Sequence, residues 1–325
     1  MHSSTSSSNS ASNRDIAVLL ALLFALVVGL EVAARVVMPR KSAGISRITR
    51  DLAETKNLTT RFKDGRPVTL LVGNSLLLDG IDRGQLAELT HEAADVHLLP
   101  LEGTMYVDWK YGLRKLFDSG TTPSLIVLCI NAEQMTTLGT NGATFAHFMM
   151  GVRDFPALVH ETNLAPMTAS EYLLAHWSYW LATRANVRMG VMERLLPGTK
   201  ELVPHLLLRG KRGTPDPEGA TKLIVDRLHE LQQLTADHGA KFVWLIPPTE
   251  NDVDLAPLAA ARATAAGISV VFPYQPGEMA TANYADGFHL NHQGAVLFTA
   301  RVAESLNGYI QANPLPGKTE APTAK

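Results

Sequence analysis

Five short apolar runs, each followed by a segment of helical periodicity or by a long insertion, restrict this chain to a narrow set of folds. The runs lie at 68–72, 96–99, 124–130, 242–246 and 268–272. Continuous apolar stretches of this length fit strands buried on both faces, not half-exposed strands with an alternating pattern. The segments between them read as helices: 84–92, 107–117, 218–238, 255–266 and 293–306. In 218–238, Leu223, Ile224, Leu228, Leu231 and Leu234 share one face. Strands that alternate with helices form a parallel sheet covered by helices on both faces, so the expected class is α/β with five parallel strands.

A long insertion, 136–217, separates the third run from the fourth. It reads as helical and as part of the same domain. Its segment 170–196 is rich in aromatics and arginine: Trp177, Tyr179, Trp180, Arg184 and Arg188. Aromatics at this spacing serve packing more often than a glycan platform. No internal repeat is visible.

The N-terminus constrains location. Residues 1–15 are largely a polar tail rich in Ser and Asn, and 16–30 is an unbroken run of apolar residues and Gly. That run alone is short for a bilayer, which needs about 20 residues. Extended through Val32 to Met38 it is long enough. Glu31 and Arg35 stand at i and i+4, can pair, and can reach the interface. A signal peptide would carry a small-residue cleavage site, and Val32-Ala33-Ala34 is followed by Arg35 and more apolar residues. The expectation is an uncleaved signal anchor over 16–38, a juxtamembrane helix or linker over 39–66, a catalytic domain over 67–312 and a flexible tail over 313–325. Only Arg14 precedes the apolar run, whereas Arg40, Lys41, Arg47 and Arg50 follow it. By itself this distribution favours a cytoplasmic domain.

At 46% hydrophobic and 18% charged residues the chain is a folded one. A net charge of −2 argues against a nucleic-acid partner, which calls for a basic face. The single cysteine, Cys129, permits no internal disulfide and lies in the third apolar run, where it reads as core. His289 and His292 are spaced like metal ligands but lack a supporting Cys or carboxylate cluster, so neither a metal nor a cofactor is expected. Asn57-Leu58-Thr59 matches a glycosylation sequon and is assigned no role.

Ligands of an open parallel sheet bind beyond the carboxyl ends of its strands. Gly73-Asn74-Ser75 follows the first expected strand, Leu101-Glu102-Gly103 the second, Asn131 the third and Pro247-Pro248-Thr249-Glu250 the fourth. The loop that follows the fifth leads to Asp286 and His289. A serine hydroxyl becomes nucleophilic when an imidazole takes its proton, and an acidic side chain fixes the tautomer of that imidazole. Ser75, His289 and Asp286 supply these three groups. The backbone N–H of Ser75, the N–H of Gly103 and the side chain of Asn131 supply donors for an oxyanion hole.

These blocks, in this order, resemble the SGNH family, also called GDSL-like hydrolases. Leu71-Val72-Gly73-Asn74-Ser75 is similar to its first block, with Asn74 where Asp often stands, and Gly103 to its second. Asn131 is similar to the third, and Asp286-Gly287-Phe288-His289 to the fourth. The third block departs from Gly-x-Asn-Asp, reading Cys129-Ile130-Asn131-Ala132. The resemblance covers about 68–135 and 218–308 and implies a flavodoxin-like sheet with Ser75, Asp286 and His289 as catalytic residues.

A looser resemblance of layout is to membrane-anchored envelope proteins of the alginate O-acetyltransferase group. It rests on the anchor, on Leu78-Asp79-Gly80-Ile81-Asp82 after Ser75, and on the helical insertion. It implies O-acetylation of an extracytoplasmic polysaccharide through a serine acyl-enzyme, beside a membrane-bound O-acyltransferase partner. The domain would then face the periplasm from the inner membrane, against the charge distribution. Two other readings use the same residues: an esterase or carbohydrate deacetylase, and an inactive anchored module that binds glycan or scaffolds a complex.

Overall fold

The computed structural model describes residues 13–56, 58, 66–196, 216–250, 255–313 and 315. Most of the polar N-terminal tail, the Asn57 sequon, the end of the insertion and nearly all of the C-terminal tail lie outside these residues.

The five strands are β1 (Val68–Gly73), β2 (Asp95–Pro100), β3 (Leu125–Cys129), β4 (Lys241–Leu245) and β5 (Val270–Val271). They form one all-parallel sheet in the order β2-β1-β3-β4-β5. Side chains alternate between faces at a period of two. Leu70, Val72, Ile126, Leu128, Phe242 and Trp244 enter one core, and Leu71, Leu125, Val127, Cys129, Val243 and Leu245 enter the other. Both faces are buried, which is why the strands read as unbroken apolar runs.

The first face is covered by α5 (Tyr106–Asp118), α11 (Pro217–Asp237) and α12 (Leu255–Ala265), and by helices of the insertion. The second is covered by α3 (Ser75–Gly80), α4 (Arg83–Thr90) and α13 (His292–Ala312). The insertion is helical: α7 (Gly142–Phe148), α8 (Phe155–Thr162), α9 (Pro166–Trp177) and α10 (Tyr179–Leu195). Phe145, Tyr172, Ala175 and Ala182 join it to the first core.

Two elements read from the sequence differ in the structure. The fifth strand pairs over two residues instead of five, because Pro273, with no N–H to donate, soon follows. The last helix continues past Gly308, and Tyr309 and Ile310 pack on the second core. The stretch 43–55 is a helix, α2 (Ala43–Thr55), seated on the domain with Ile45, Ile48 and Leu52 buried.

Ahead of it runs α1 (Asn13–Lys41), 29 residues and about 43 Å long at 1.5 Å per residue. It is long and apolar enough to cross a membrane. From Ile16 to Val28 every residue is exposed.

Candidate active site

The register places the site. Gly73, the last residue of β1, pairs with Pro100 of β2 on one side and Cys129 of β3 on the other. Two residues beyond these paired positions come Ser75, Glu102 and Asn131, at the carboxyl edge of the sheet. Gly73 has to be glycine, because an added Cβ would overlap the Cys129 carbonyl oxygen.

Ser75 opens α3, a short helix the sequence reading missed. Its signal was Asn74, which caps it by accepting from the Leu76 N–H at 3.0 Å. The Asn74 amide also donates to the Thr104 carbonyl at 3.0 Å, tying the Ser75 turn to the loop that carries Gly103. Asn74 is fully buried.

His289 reaches Ser75 from 214 residues away. The α13 helix packs on α3, with Phe298 against Gly80. The Asp82 N–H also donates to Thr299 Oγ1 at 2.9 Å. Just before α13, Tyr284 and Leu290 form a bridge, and the Ala285 N–H donates to the His289 carbonyl at 2.8 Å.

The result is a continuous hydrogen-bonded chain. His289 Nε2 lies 2.9 Å from Ser75 Oγ, and His289 Nδ1 lies 2.8 Å from Asp286 Oδ2. Asp286 Oδ1 accepts from the backbone N–H groups of Phe288, at 3.0 Å, and His289, at 2.7 Å. Partial burial opposes the Asp286 charge. The His289 N–H and ring and the Phe288 N–H outweigh it and hold the carboxyl below its ordinary pKa.

The three groups expected as oxyanion donors follow β1, β2 and β3 at the same edge of the sheet. Ser75 N–H is at a helix start and has no intrahelical acceptor. Among the described residues, neither it, nor the Gly103 N–H, nor Asn131 Nδ2 donates to a protein atom. Gly103 adopts a φ of +73°, which a side chain would strain. Asn131 has a second use unseen in the sequence. Its Oδ1 caps α6 (Ala132–Thr136) by accepting from the Gln134 N–H at 2.9 Å, while Gln134 Oε1 accepts from the Asn131 N–H.

Two further charged groups lie at this edge of the sheet. Asp79 stands one helical turn beyond it; desolvation raises its carboxyl pKa, and Glu102 and Asp286 add to this against His289 and Arg47. Arg47, on α2, donates to the Pro100 carbonyl at 2.6 Å and pairs with Glu102. The Gly103 loop is thereby clamped to the helix that follows α1.

Cys129 is fully buried in β3, and burial pushes its thiol pKa well up, as a core residue requires. Among the described residues no group of three or more His, Cys, Asp or Glu could hold a metal.

No family model and no curated protein matches the chain. Among solved structures, a crystal structure at 2.00 Å from Bacteroides fragilis NCTC 9343, described as a candidate acylhydrolase, aligns with 83% of this chain and 100% of its own. Identity is 12% and the TM-score 0.41, too slight a likeness to bear on function.

Proposed function

We propose that the protein is a serine acyltransferase that works through an acyl-enzyme on Ser75. The observation that carries this reading is the unbroken Ser75–His289–Asp286 chain, with bonds of 2.9 and 2.8 Å. In the proposed reaction Ser75 Oγ attacks the acyl carbonyl while His289 Nε2 takes the hydroxyl proton. The oxyanion meets the N–H groups of Ser75 and Gly103 and Asn131 Nδ2. Each such donor is worth roughly 3–4 kcal/mol of barrier when removed. His289 then protonates the leaving group, deprotonates the acceptor hydroxyl, and the acyl group moves on.

The acceptor we propose is a hydroxyl of an extracytoplasmic polysaccharide, with acetyl as the acyl group. The layout resemblance supports it, as does the rim of the site, where Asp79, Glu102 and Arg47 offer hydrogen bonds to a hydroxyl-rich ligand. The clamp from Arg47 supports work close to the membrane, and a membrane-bound O-acyltransferase is the proposed source of the acyl group. Hydrolysis is the second reading. His289 keeps 27% of its side chain exposed, so water has access to the base.

The test is product analysis. The full-length chain in mild detergent is given p-nitrophenyl acetate with and without an acidic oligosaccharide. A transferase yields acetylated oligosaccharide, and an esterase yields acetate alone in both. Ser75→Ala should abolish both products and all labelling by a serine-directed fluorophosphonate. Labelling that persists in Ser75→Ala would remove Ser75 as the nucleophile.

A further inference from the structure

The uncharged run 16–30 rises about 22 Å as helix, roughly 8 Å short of a hydrocarbon core of about 30 Å. Residues 31–38 must make up the difference, and they are packed against α10. Ala34, Met38, Ile45 and Tyr179 form a buried cluster with Trp180 and Val187 against it. Glu31 accepts from Ser178 Oγ at 2.9 Å and from the N–H groups of Tyr179 and Trp180 at 2.9 and 3.1 Å. It also pairs with Arg35 at 2.7 Å. A carboxylate at this depth is tolerable because every interaction it needs is supplied, including the N-terminus of α10. The start of α10 is thus fixed at the depth of Glu31.

Between the two helices lies a cavity of about 970 Å³ that none of the triad residues lines. Its walls are mostly apolar, with Leu30, Ala34 and Val37 from α1 and Trp180, Val187 and Gly190 from α10, beside the polar Ser42 and Asn186. Lys41 and Arg194 also line it, each near the C-terminal end of its helix. Among the described residues neither is in an ion pair. From Leu30 to Lys41 the groove follows twelve residues of helix, about 16 Å, close to half of a hydrocarbon core. Val191 and Leu195 of the same helix are 51% and 75% exposed, and the groove opens at Leu30 onto the exposed span.

We propose that this groove holds an anionic phospholipid of the surrounding leaflet. Its acyl chain lies along Leu30, Val37 and Val187, and its phosphate faces Lys41 and Arg194. The mostly apolar wall, its length, its opening onto the span and the two cations at one end all match one amphiphile. The proposal is independent of the chemistry at Ser75.

The full-length Ser75→Ala chain, reconstituted in phosphatidylcholine vesicles, is irradiated with phosphatidylglycerol that carries a diazirine midway along one acyl chain. A phosphatidylcholine probe with the same chain is the comparison. Adducts are located by peptide mass spectrometry. The phosphatidylglycerol probe should label 180–194 as well as 16–30, several-fold more than the phosphatidylcholine probe does on 180–194. Lys41→Gln with Arg194→Gln should erase that preference, about fivefold per charge. Gly190→Trp, at a site with no atom within 4 Å of an added Cβ, should fill the groove and cut labelling of 180–194 while leaving 16–30 unchanged.

Labelling confined to 16–30 would overturn the proposal, and so would equal labelling by the two head groups. Labelling of 180–194 in vesicles but not in native membranes would assign the groove to a partner's helix and overturn it as well.

Discussion

Asp286→Asn separates the two jobs of this side chain. Oδ1 holds the loop by accepting from the Phe288 and His289 N–H groups, and Oδ2 accepts from His289 Nδ1. Asparagine keeps an oxygen for the first job. It places an NH₂ against Nδ1, which forces the proton onto Nε2, where the lone pair facing Ser75 is needed. Turnover should fall about 10⁴-fold, or about 5.4 kcal/mol at 1.36 kcal/mol per decade. Stability should change by only about 1 kcal/mol, since one partly exposed hydrogen bond is lost. Asp286→Ala removes the backbone bonds too, each worth about 0.5–1.5 kcal/mol, so it should lose roughly 1–3 kcal/mol of stability in addition. The assays are p-nitrophenyl acetate hydrolysis, the rate of fluorophosphonate labelling, and denaturant unfolding. If Asp286→Asn labelled and turned over within tenfold of wild type, Asp286 would not orient the base. Equal destabilisation by Asn and Ala would show that the backbone bonds do not hold the loop.

Gly73→Ala should unfold the site or fail to accumulate, because its Cβ overlaps the Cys129 carbonyl; normal yield and activity would mean the two strands can part. Asn131→Ser retains an N-cap for α6 while losing the amide donor, so kcat should fall roughly 10²–10³-fold with KM and unfolding midpoint nearly unchanged. A change confined to KM would make Asn131 a substrate-binding group. Asp108 is buried on α5, where desolvation raises its pKa to about 7 against the N–H groups of Asn141 and Met105. The native state then binds a proton that the unfolded chain has released, so stability should fall as pH rises from about 4 to 7. Asp108→Asn should flatten that slope in pH-dependent unfolding, and an unchanged slope would assign it to other groups. Alkaline phosphatase fused after Lys325 should be active, because the domain is proposed to lie outside the cytoplasm. A stable, inactive fusion with a fluorescent cytoplasmic reporter at the same junction would place it inside and exclude an extracytoplasmic glycan.

The residue pattern by itself determined the parallel sheet, because burial on both faces leaves no polar position in strands such as Leu125–Cys129. It also determined a helix long and apolar enough to cross a membrane, because an uncharged stretch such as 16–30 is costly to leave in water. The triad members were legible as residue types at strand ends. Their meeting was not, since it depends on Phe298 and Thr299 of α13 packing on α3 and on Asp82, contacts more than 200 residues apart in sequence. Asn131 was expected as a donor, and its capping of α6 was not legible; Glu31 was legible as an i,i+4 partner of Arg35 but not as the acceptor for the first N–H groups of α10. For Glu31, local spacing shows what the side chain can accept, whereas the N–H groups of Tyr179 and Trp180 that it meets are brought in by another part of the chain. Helix α2 read as a linker or juxtamembrane helix because only Ile45, Ile48 and Leu52 mark it. Its place was decided by Arg47 and Asp51, whose partners Glu102 and Arg83 come from loops at the sheet edge and from α4.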